Sequence, residues 1–244
     1  MIQDLHSHTY YSFCGHDAPE KVAEAAVAGR MAQLGFTDHN YGIGIADIKT
    51  FEKGDVGSYG RALRRYFDHI TVIKELYRDK IEILRGIEVC TLNFGSYALP
   101  DCEDISFFDY CIIENLTDPR SVMGGDVFSY AKRCGCKAGI AHTDLFAFTK
   151  KTGVDAKDYF SRMAEMGMFW ELNVNYDSTH GYAEHSYVKD FFEDERKIET
   201  VLASGVEVSI GFDGHRSEDY RGDRITYYCR KLEQLGIKQP FASK

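Results

Sequence analysis

The chain has 244 residues, of which 44% are hydrophobic and 27% charged, a composition typical of a folded domain with a sizeable core. Its formal net charge of −9 argues against nucleic acid or an anionic membrane as the main partner. No apolar run reaches the roughly 18 residues that a transmembrane helix needs. We therefore expect a protein with neither a nucleic-acid nor a membrane partner.

The cysteines indicate a reducing compartment. There are seven of them, an odd number, and they are scattered along the chain. The sequence starts directly with its first polar motif, without a secretory leader pattern. We therefore interpret the cysteines as reduced thiols of a cytoplasmic protein. Cys134 and Cys136 lack the second pair that a zinc knuckle needs, so we interpret them as structural.

In the first half of the chain, hydrophobic runs alternate with helical patterns. The first helix is predicted from an N-cap at Asp17 to Leu34, with Gly35 ending it. The glycine-rich stretch 40–60 predicts a long binding loop. A second helix is predicted over residues 61–78, and the predicted strands are residues 2–5, 36–38 and 81–88.

The second half keeps this alternation. Its predicted strands are residues 108–113, 138–141, 168–172 and 206–211. Its predicted helices are residues 126–133, 155–166, 187–204 and 225–235. Strands that alternate with helices in this way are typical of a parallel α/β barrel or a doubly wound sheet. No linker or repeat divides the chain, so we predict a single domain over residues 1–244.

The first polar motif is a pair of histidines separated by one residue. In an extended chain the side chains of residues i and i+2 point to the same side, so His6 and His8 present their rings to one point. Two neutral imidazoles in this arrangement can chelate a divalent metal ion.

Further ligand-type residues lie at the ends of four other predicted strands. The carboxyl ends of the strands of a βα barrel share one rim, where metals and substrates bind. Five of the nine histidines fall at such ends, and it is this convergence that predicts a metal site. The residues are His6 and His8 after the first strand, His39 after the second, Glu88 at the third, His142 after the fifth, and Asp213 and His215 after the seventh.

The order of these motifs resembles the polymerase and histidinol phosphatase (PHP) superfamily. The matching motifs are His6-x-His8, His16, Asp38-His39, Gly86-Ile87-Glu88, Ala141-His142 and Gly211-Phe212-Asp213-Gly214-His215. The resemblance spans nearly the whole chain. It implies a distorted, TIM-like barrel of seven strands, a cluster of two or three divalent ions (zinc, manganese or iron), and phosphoesterase activity.

By position, the resemblance implies three ligand sets. The first metal would be held by His6, His8, Glu88 and Asp213. The second would share Glu88 and add His142, and the third would be held by His16, His39 and His215. The family usually has a histidine after the fourth strand, but this chain has Glu114-Asn115-Leu116 there. We expect an oxygen from Glu114 or Asn115 to substitute, or else a weaker second site.

The resemblance also implies a mechanism in which a hydroxide between two ions attacks phosphorus. Glu88 and Asp213 are then catalytic as well as ligands. His180 and His185, in a polar loop, are candidate proton donors to the leaving group. Arg216, next to a ligand histidine, is a candidate phosphate contact. Asp38 is interpreted either as a residue that orients a ligand or as a strand-end cap.

Three functions fit this pattern. The first is hydrolysis of a small phosphorylated metabolite, with histidinol phosphate as one candidate. The second is metal-dependent hydrolysis of C–N bonds, because amidohydrolase barrels also begin with a paired histidine motif. The third is a non-catalytic metal-binding barrel. Specificity is expected in loops 40–60, 91–105 and 174–186.

Overall fold

The computed structural model describes residues 1–45, 58–94 and 97–242. Seven parallel strands form one sheet in chain order. They are β1 (Gln3–Asp4), β2 (Gln33–Phe36), β3 (Glu82–Val89), β4 (Tyr110–Ile113), β5 (Lys137–Ile140), β6 (Phe169–Asn173) and β7 (Glu207–Gly211).

Helices follow the strands and pack around them. They are α1 (Pro19–Ala28), α2 (Asn40–Ile45), α3 (Ser58–Tyr77), α4 (Val127–Cys134), α5 (Leu145–Thr152), α6 (Ala156–Glu165), α7 (Ser186–Glu193), α8 (Glu195–Ser204) and α9 (Gly222–Leu235), with a 3₁₀ turn at Ser217–Asp219. None of the helices in the described parts of the chain has both the length and the apolar character to cross a membrane.

The sheet curls until its first and last strands meet. The amide of Leu5 donates to the carbonyl of Ile210 at 3.0 Å, and the amide of Asp213 donates to the carbonyl of His6 at 2.7 Å. The strands therefore form a nearly closed barrel with helices outside. This architecture confirms the barrel and excludes the doubly wound sheet that the strand pattern alone had left open.

Interior and exterior positions alternate along each strand. On β3, Ile83 and Ile87 pack under the helices, whereas Leu84 lies in the barrel interior. Glu88, four residues further along the same face, ends the strand at the carboxyl rim. The interior also contains an apolar cluster of Leu5, Leu84, Tyr110, Ile112, Ala141 and Phe169.

The first predicted helix is too long. Helix α1 ends at Ala28, and Gly35 lies inside β2 instead of ending a helix. A Cβ at Gly35 would overlap the Tyr110 hydroxyl oxygen, so this position needs glycine for close strand packing. The predicted cap is also wrong, because Asp17 accepts hydrogen bonds from Ser217 N and Oγ at 2.8 and 2.9 Å.

Two other predicted elements differ from the structure, and one helix was not predicted. The helix predicted over 187–204 is divided at Asp194, whose side chain accepts from Arg196 N at 3.0 Å and caps α8. Helix α5 was not predicted, because the pattern there was short. The stretch 40–60 contains α2 and the start of α3, and its residues 46–57 lie outside the described residues.

Candidate metal centre

The ends of β1, β3 and β7 bring two imidazoles and two carboxylates together. The Nε2 atoms of His6 and His8 lie 3.1 Å apart. His8 Nε2 is 3.0 Å from Asp213 Oδ1, and His6 Nε2 is 3.3 Å from Glu88 Oε2. Nitrogen ligands of one tetrahedral zinc ion lie about 3.3 Å apart, since each bond is about 2.0–2.1 Å long. These separations suit donors that share one ion.

Glu88 lies at the centre of the cluster, with a side chain that is 1% exposed. Its Oε2 atom is 3.0 Å from His39 Nδ1 and 3.4 Å from His8 Nε2. Its Oε1 atom is 3.0 Å from His142 Nε2. One carboxylate therefore faces imidazoles on both of its oxygens, as a bridging ligand does.

Two histidines have Nδ1 bound to a carboxylate outside the cluster. His6 Nδ1 is 2.7 Å from Glu171 Oε1, and His215 Nδ1 is 3.1 Å from Asp177 Oδ2. Because carboxylates accept, each Nδ1 carries the proton. The Nε2 lone pairs are then available to a metal, which is the usual role of such outer partners.

Asp38 acts through Ser12. The Ser12 hydroxyl donates to Asp38 Oδ1 at 2.7 Å, so it can only accept from His8 Nδ1 at 3.2 Å. Burial also lowers the pKa of His8 to about 3, so this ring is neutral with its Nε2 lone pair toward the cluster. Of the two interpretations of Asp38, the structure supports the orienting role.

The cluster concentrates negative charge in a buried site. Burial alone would raise the pKa values of Glu88 and Asp213, but the neighbouring histidines lower both far below the usual range. Burial alone would lower the pKa of His142, but contacts with Glu88, Asp213 and Glu171 raise it to about 9. Both carboxylates are thus ionised, and positive charge is needed beside them.

The donor set fits a divalent ion. Glu88 Oε2 and His39 Nδ1 are buried atoms without a hydrogen-bond partner, although they lie 3.0 Å apart. Unpaired buried polar atoms are costly unless a ligand satisfies them. The Nε2 atoms of His6 and His8 lie 3.1 Å apart, so a proton or a metal ion must lie between their lone pairs. Imidazole nitrogens and carboxylate oxygens together suit zinc, manganese or iron.

Glu114 occupies the region where the family histidine is missing. It is 8% exposed, and its Oε1 atom lies 3.5 Å from His39 Nδ1. Glu88, His39 and Glu114 form one of the groups whose donor atoms can share an ion. Asn115 instead binds neighbouring groups, donating to Glu114 Oε2 at 3.2 Å, and Leu116 is buried in the core.

Three residues named from the sequence lie outside this cluster or at its edge. His16 is exposed, and its Nε2 atom is 3.2 Å from Arg216 Nη2. Arg216 also lies 3.7 Å from Glu218. His180 stands beside the cluster, with its ring 4.9 Å from that of His215 and its Nδ1 3.0 Å from Asp177.

Two of the clustered residues have unusual backbone conformations. His142 has φ of 23° and Asp213 has φ of 55°, in the left-handed region that side chains other than glycine rarely adopt. Such strain costs about 1–3 kcal/mol and concentrates at functional sites. At both positions it turns a side chain inward directly after a strand.

Sequence reasoning assigned no role to Glu171, Asp177 or Cys14. Glu171 binds His6 Nδ1 and also accepts from the amide of His142 at 2.6 Å. Its position near the end of β6 matched the signal that identified Glu88, and could have identified it. Asp177 lies in a loop without a motif, so no pattern pointed to it.

Comparisons with known proteins agree with the fold. A family model described as the PHP domain matches residues 4–234. No curated protein has a sequence that matches this one significantly. Among solved structures, the chain is similar to histidinol phosphate phosphatase from Lactococcus lactis subsp. lactis Il1403, crystallised with zinc, L-histidinol and phosphate. The identity is 16%, the coverage 98% of this chain and 95% of that one, and the TM-score 0.57. An amidohydrolase structure has 13% identity, covers 96% of this chain and 69% of its own, and has a TM-score of 0.46.

Proposed function

Because the chain belongs to the PHP domain family, we propose that it is a metal-dependent hydrolase that cleaves the phosphate ester of a small metabolite. The observation that carries the proposal is the position of Glu88. Its two oxygens face His39 and His142 at 3.0 Å each, inside a cluster that also contains His6 and Asp213.

We assign the metal ligands by position in this cluster. His6, His8, Glu88 and Asp213 would hold one ion, and Glu88 with His142 a second. His39 and His215 border a third position, and Glu114 is the oxygen donor in the region without the family histidine. Bound divalent ions supply Lewis acidity, activate water at neutral pH and neutralise phosphoryl oxygens.

His180 is the proposed proton donor to the leaving group. Its Nδ1 is 3.0 Å from Asp177 Oδ1, and its side chain is 38% exposed. Asp177 thus fixes the ring and keeps its Nδ1 protonated, while Nε2 stays accessible to a substrate. Asp177 also binds His215 at 3.1 Å, so one buried carboxylate positions both the donor and a metal ligand.

The substrate's organic part is proposed to lie on the opposite side, beside His39. The ring of Tyr41 stacks on His39 with centroids 4.8 Å apart, and Tyr97 meets Tyr41 edge-on at 4.5 Å. Both tyrosines lie in the stretches 40–60 and 91–105, where we expect specificity. Arg216 remains a proposed phosphate contact, reached from the outer edge of the rim.

The two other functions remain testable. Hydrolysis of C–N bonds in amidohydrolase barrels normally uses a bridging lysine, whereas here a carboxylate occupies the centre of the cluster. A non-catalytic barrel would need neither an accessible histidine beside the metals nor the buried aspartate that orients it.

The test is a screen of phosphorylated metabolites, including histidinol phosphate, with protein reconstituted with zinc, manganese or iron. We expect release of inorganic phosphate that a chelator abolishes and that added metal restores. Parallel assays with amide and amidine substrates address C–N hydrolysis. Fully metallated protein that releases no phosphate from any ester would contradict the proposal.

A further inference from the structure

A thiol lies beside the metal cluster at a place where the family pattern predicted an imidazole. The Cys14 sulfur, one ring nitrogen of His8 and one of His215 all lie within 4.8 Å of one another. Cysteine and histidine donors at this spacing are those of zinc sites.

The turn that places Cys14 is tightly built. The amide of Ser12 donates to the carbonyl of Thr9 at 3.0 Å, and the amide of Gly15 donates to the carbonyl of Ser12 at 3.2 Å. A Cβ at Gly15 would overlap the Thr9 carbonyl, so only glycine allows the backbone at position 15 to approach Thr9 this closely. Asp38 holds the same turn through the amide of Thr9 at 2.7 Å. The position of the Cys14 backbone is therefore fixed by these contacts.

His16, two residues after Cys14, lies outside the cluster. Its side chain is exposed, and a guanidinium donates to its Nε2 lone pair from Arg216 at 3.2 Å. A lone pair used in this way is not available to a metal, and the permanent charge of Arg216 repels a second cation. His16 is therefore held apart from the cluster by a specific partner.

A second observation points to a ligand at this side of the cluster. Glu88 Oε2 is buried and has no hydrogen-bond partner. It lies 3.4 Å from His8 Nε2 and 3.0 Å from His39 Nδ1, and His8 is one of the two histidines whose ring nitrogens lie near the Cys14 sulfur. The rings of His39 and His215 each stack on His8 with centroids 4.7 Å apart.

We propose that Cys14 and His215 are two ligands of one metal ion, at the position where the family pattern predicts His16, and that His16 does not bind it. The inference rests on the metal centre of the proposed function. It adds a chemical preference, because a thiolate favours zinc-type ions over magnesium or manganese. The position would then differ in metal selectivity from the carboxylate-rich part of the cluster.

Cobalt(II) provides a direct test, because a thiolate–cobalt bond gives a near-ultraviolet charge-transfer band that imidazole and carboxylate ligands do not give. We expect the band when the apoprotein is titrated with Co²⁺. Cys14→Ser should abolish it and weaken binding of one metal equivalent by on the order of a hundredfold or more, since even outer partners of ligands are worth about 10–100-fold. His16→Gln should keep both the band and the metal content.

The exposed Cys102 offers a matched control, and Cys102→Ser should leave the band unchanged. Protection from alkylation gives a second measurement on the unmodified protein. Zinc should slow the alkylation of Cys14 at least tenfold and leave that of Cys102 unaffected, as read by peptide mass spectrometry. This readout does not depend on how well a variant folds.

Metallated protein without the band, a band that persists in Cys14→Ser, or a band lost in His16→Gln would each overturn the inference. Equal alkylation of Cys14 with and without zinc would also overturn it. These outcomes are distinct from failure of the proposed function, which would appear as absent phosphate release while the cobalt band and zinc protection are present.

Discussion

At the amino end of the barrel the interior faces of β3 and β6 carry Leu84 and Phe169, whereas at the carboxyl end the same faces carry Glu88 and Glu171. The two ends are equally buried. They differ in what satisfies the side chains: apolar contacts at one end, and charged or hydrogen-bonding partners at the other. In α/β barrels this division separates stability from chemistry.

The C-terminal segment of the chain packs against the amino end of the barrel. Gln3 Nε2 donates to the Pro240 carbonyl at 2.9 Å, and Gln33 Nε2 donates to the Phe241 carbonyl at 3.0 Å. The Phe241 ring packs on Tyr110 with centroids 5.5 Å apart. This end is closed by the chain itself. The carboxyl end carries the cluster of imidazoles and carboxylates, so we expect substitutions there to affect bound ligands more than folding.

The largest effect is expected from Glu88→Gln. An amide offers a metal one oxygen and points its NH₂ group at the other cation, so both ions should bind more weakly. Displacements of about 1 Å in such sites cost on the order of a hundredfold in rate. We expect the proposed phosphatase activity to fall at least that far, while the melting temperature of the metal-free protein stays nearly unchanged.

Glu82 provides the matched control at the other end of the same strand, where it accepts from Gln33 Nε2 at 2.7 Å. Glu82→Gln should keep activity and metal content. Wild-type activity and full metal loading in Glu88→Gln would end the claim that Glu88 bridges two ions.

The next effect is expected from Glu171→Gln, which leaves the proposed ligands intact. Glu171 accepts from both His6 Nδ1 and the amide of His142. An amide can accept one of these bonds and opposes the other with its own donor. We expect metal affinity, measured by chelator competition, to fall about 10–100-fold. An unchanged affinity would show that His6 is oriented without this carboxylate.

At the amino end, Gly35→Ala should reduce stability and leave the metals in place. The new methyl group would overlap the Tyr110 hydroxyl oxygen, and overpacking of this kind costs about 1–3 kcal/mol. Denaturant unfolding of the metal-free protein measures the loss. Tyr110→Phe in the same chain should recover part of it, so a double-mutant cycle that is strictly additive would contradict this contact.

The smallest effect is expected from Tyr110→Phe alone. The Tyr110 hydroxyl donates to the Leu5 carbonyl at 2.7 Å inside the barrel. Its removal should cost about 0.5–1.5 kcal/mol in the free energy of unfolding, with metal stoichiometry unchanged. A change in metal content would mean that the two ends of the barrel are coupled.

The barrel and most of the cluster could be predicted from the sequence because both follow from strand ends. Strand alternation predicted seven strands, and His39, Glu88 and His142 came together because the carboxyl ends of parallel strands share a rim. Element boundaries such as the end of α1 could not be predicted. A glycine after an amphipathic stretch locally predicts the end of a helix, and only the packing of Tyr110 against Gly35 explains why this glycine lies in a strand.

The parts of the site that come from loops were beyond sequence reasoning. Whether Cys14 or His16 faces the cluster depends on a turn closed by Gly15 and on the partner Arg216, which is 200 residues from His16 in the chain. Asp177 reaches His215 across 38 residues. Such contacts have no local pattern, so only the folded chain reveals them.

The most direct test of the account is the metal content of the purified protein after reconstitution, measured by elemental analysis beside the Glu88→Gln variant. The account predicts at least two transition-metal ions per chain in the wild type and clearly fewer in the variant. Less than one equivalent in the reconstituted wild type would contradict it.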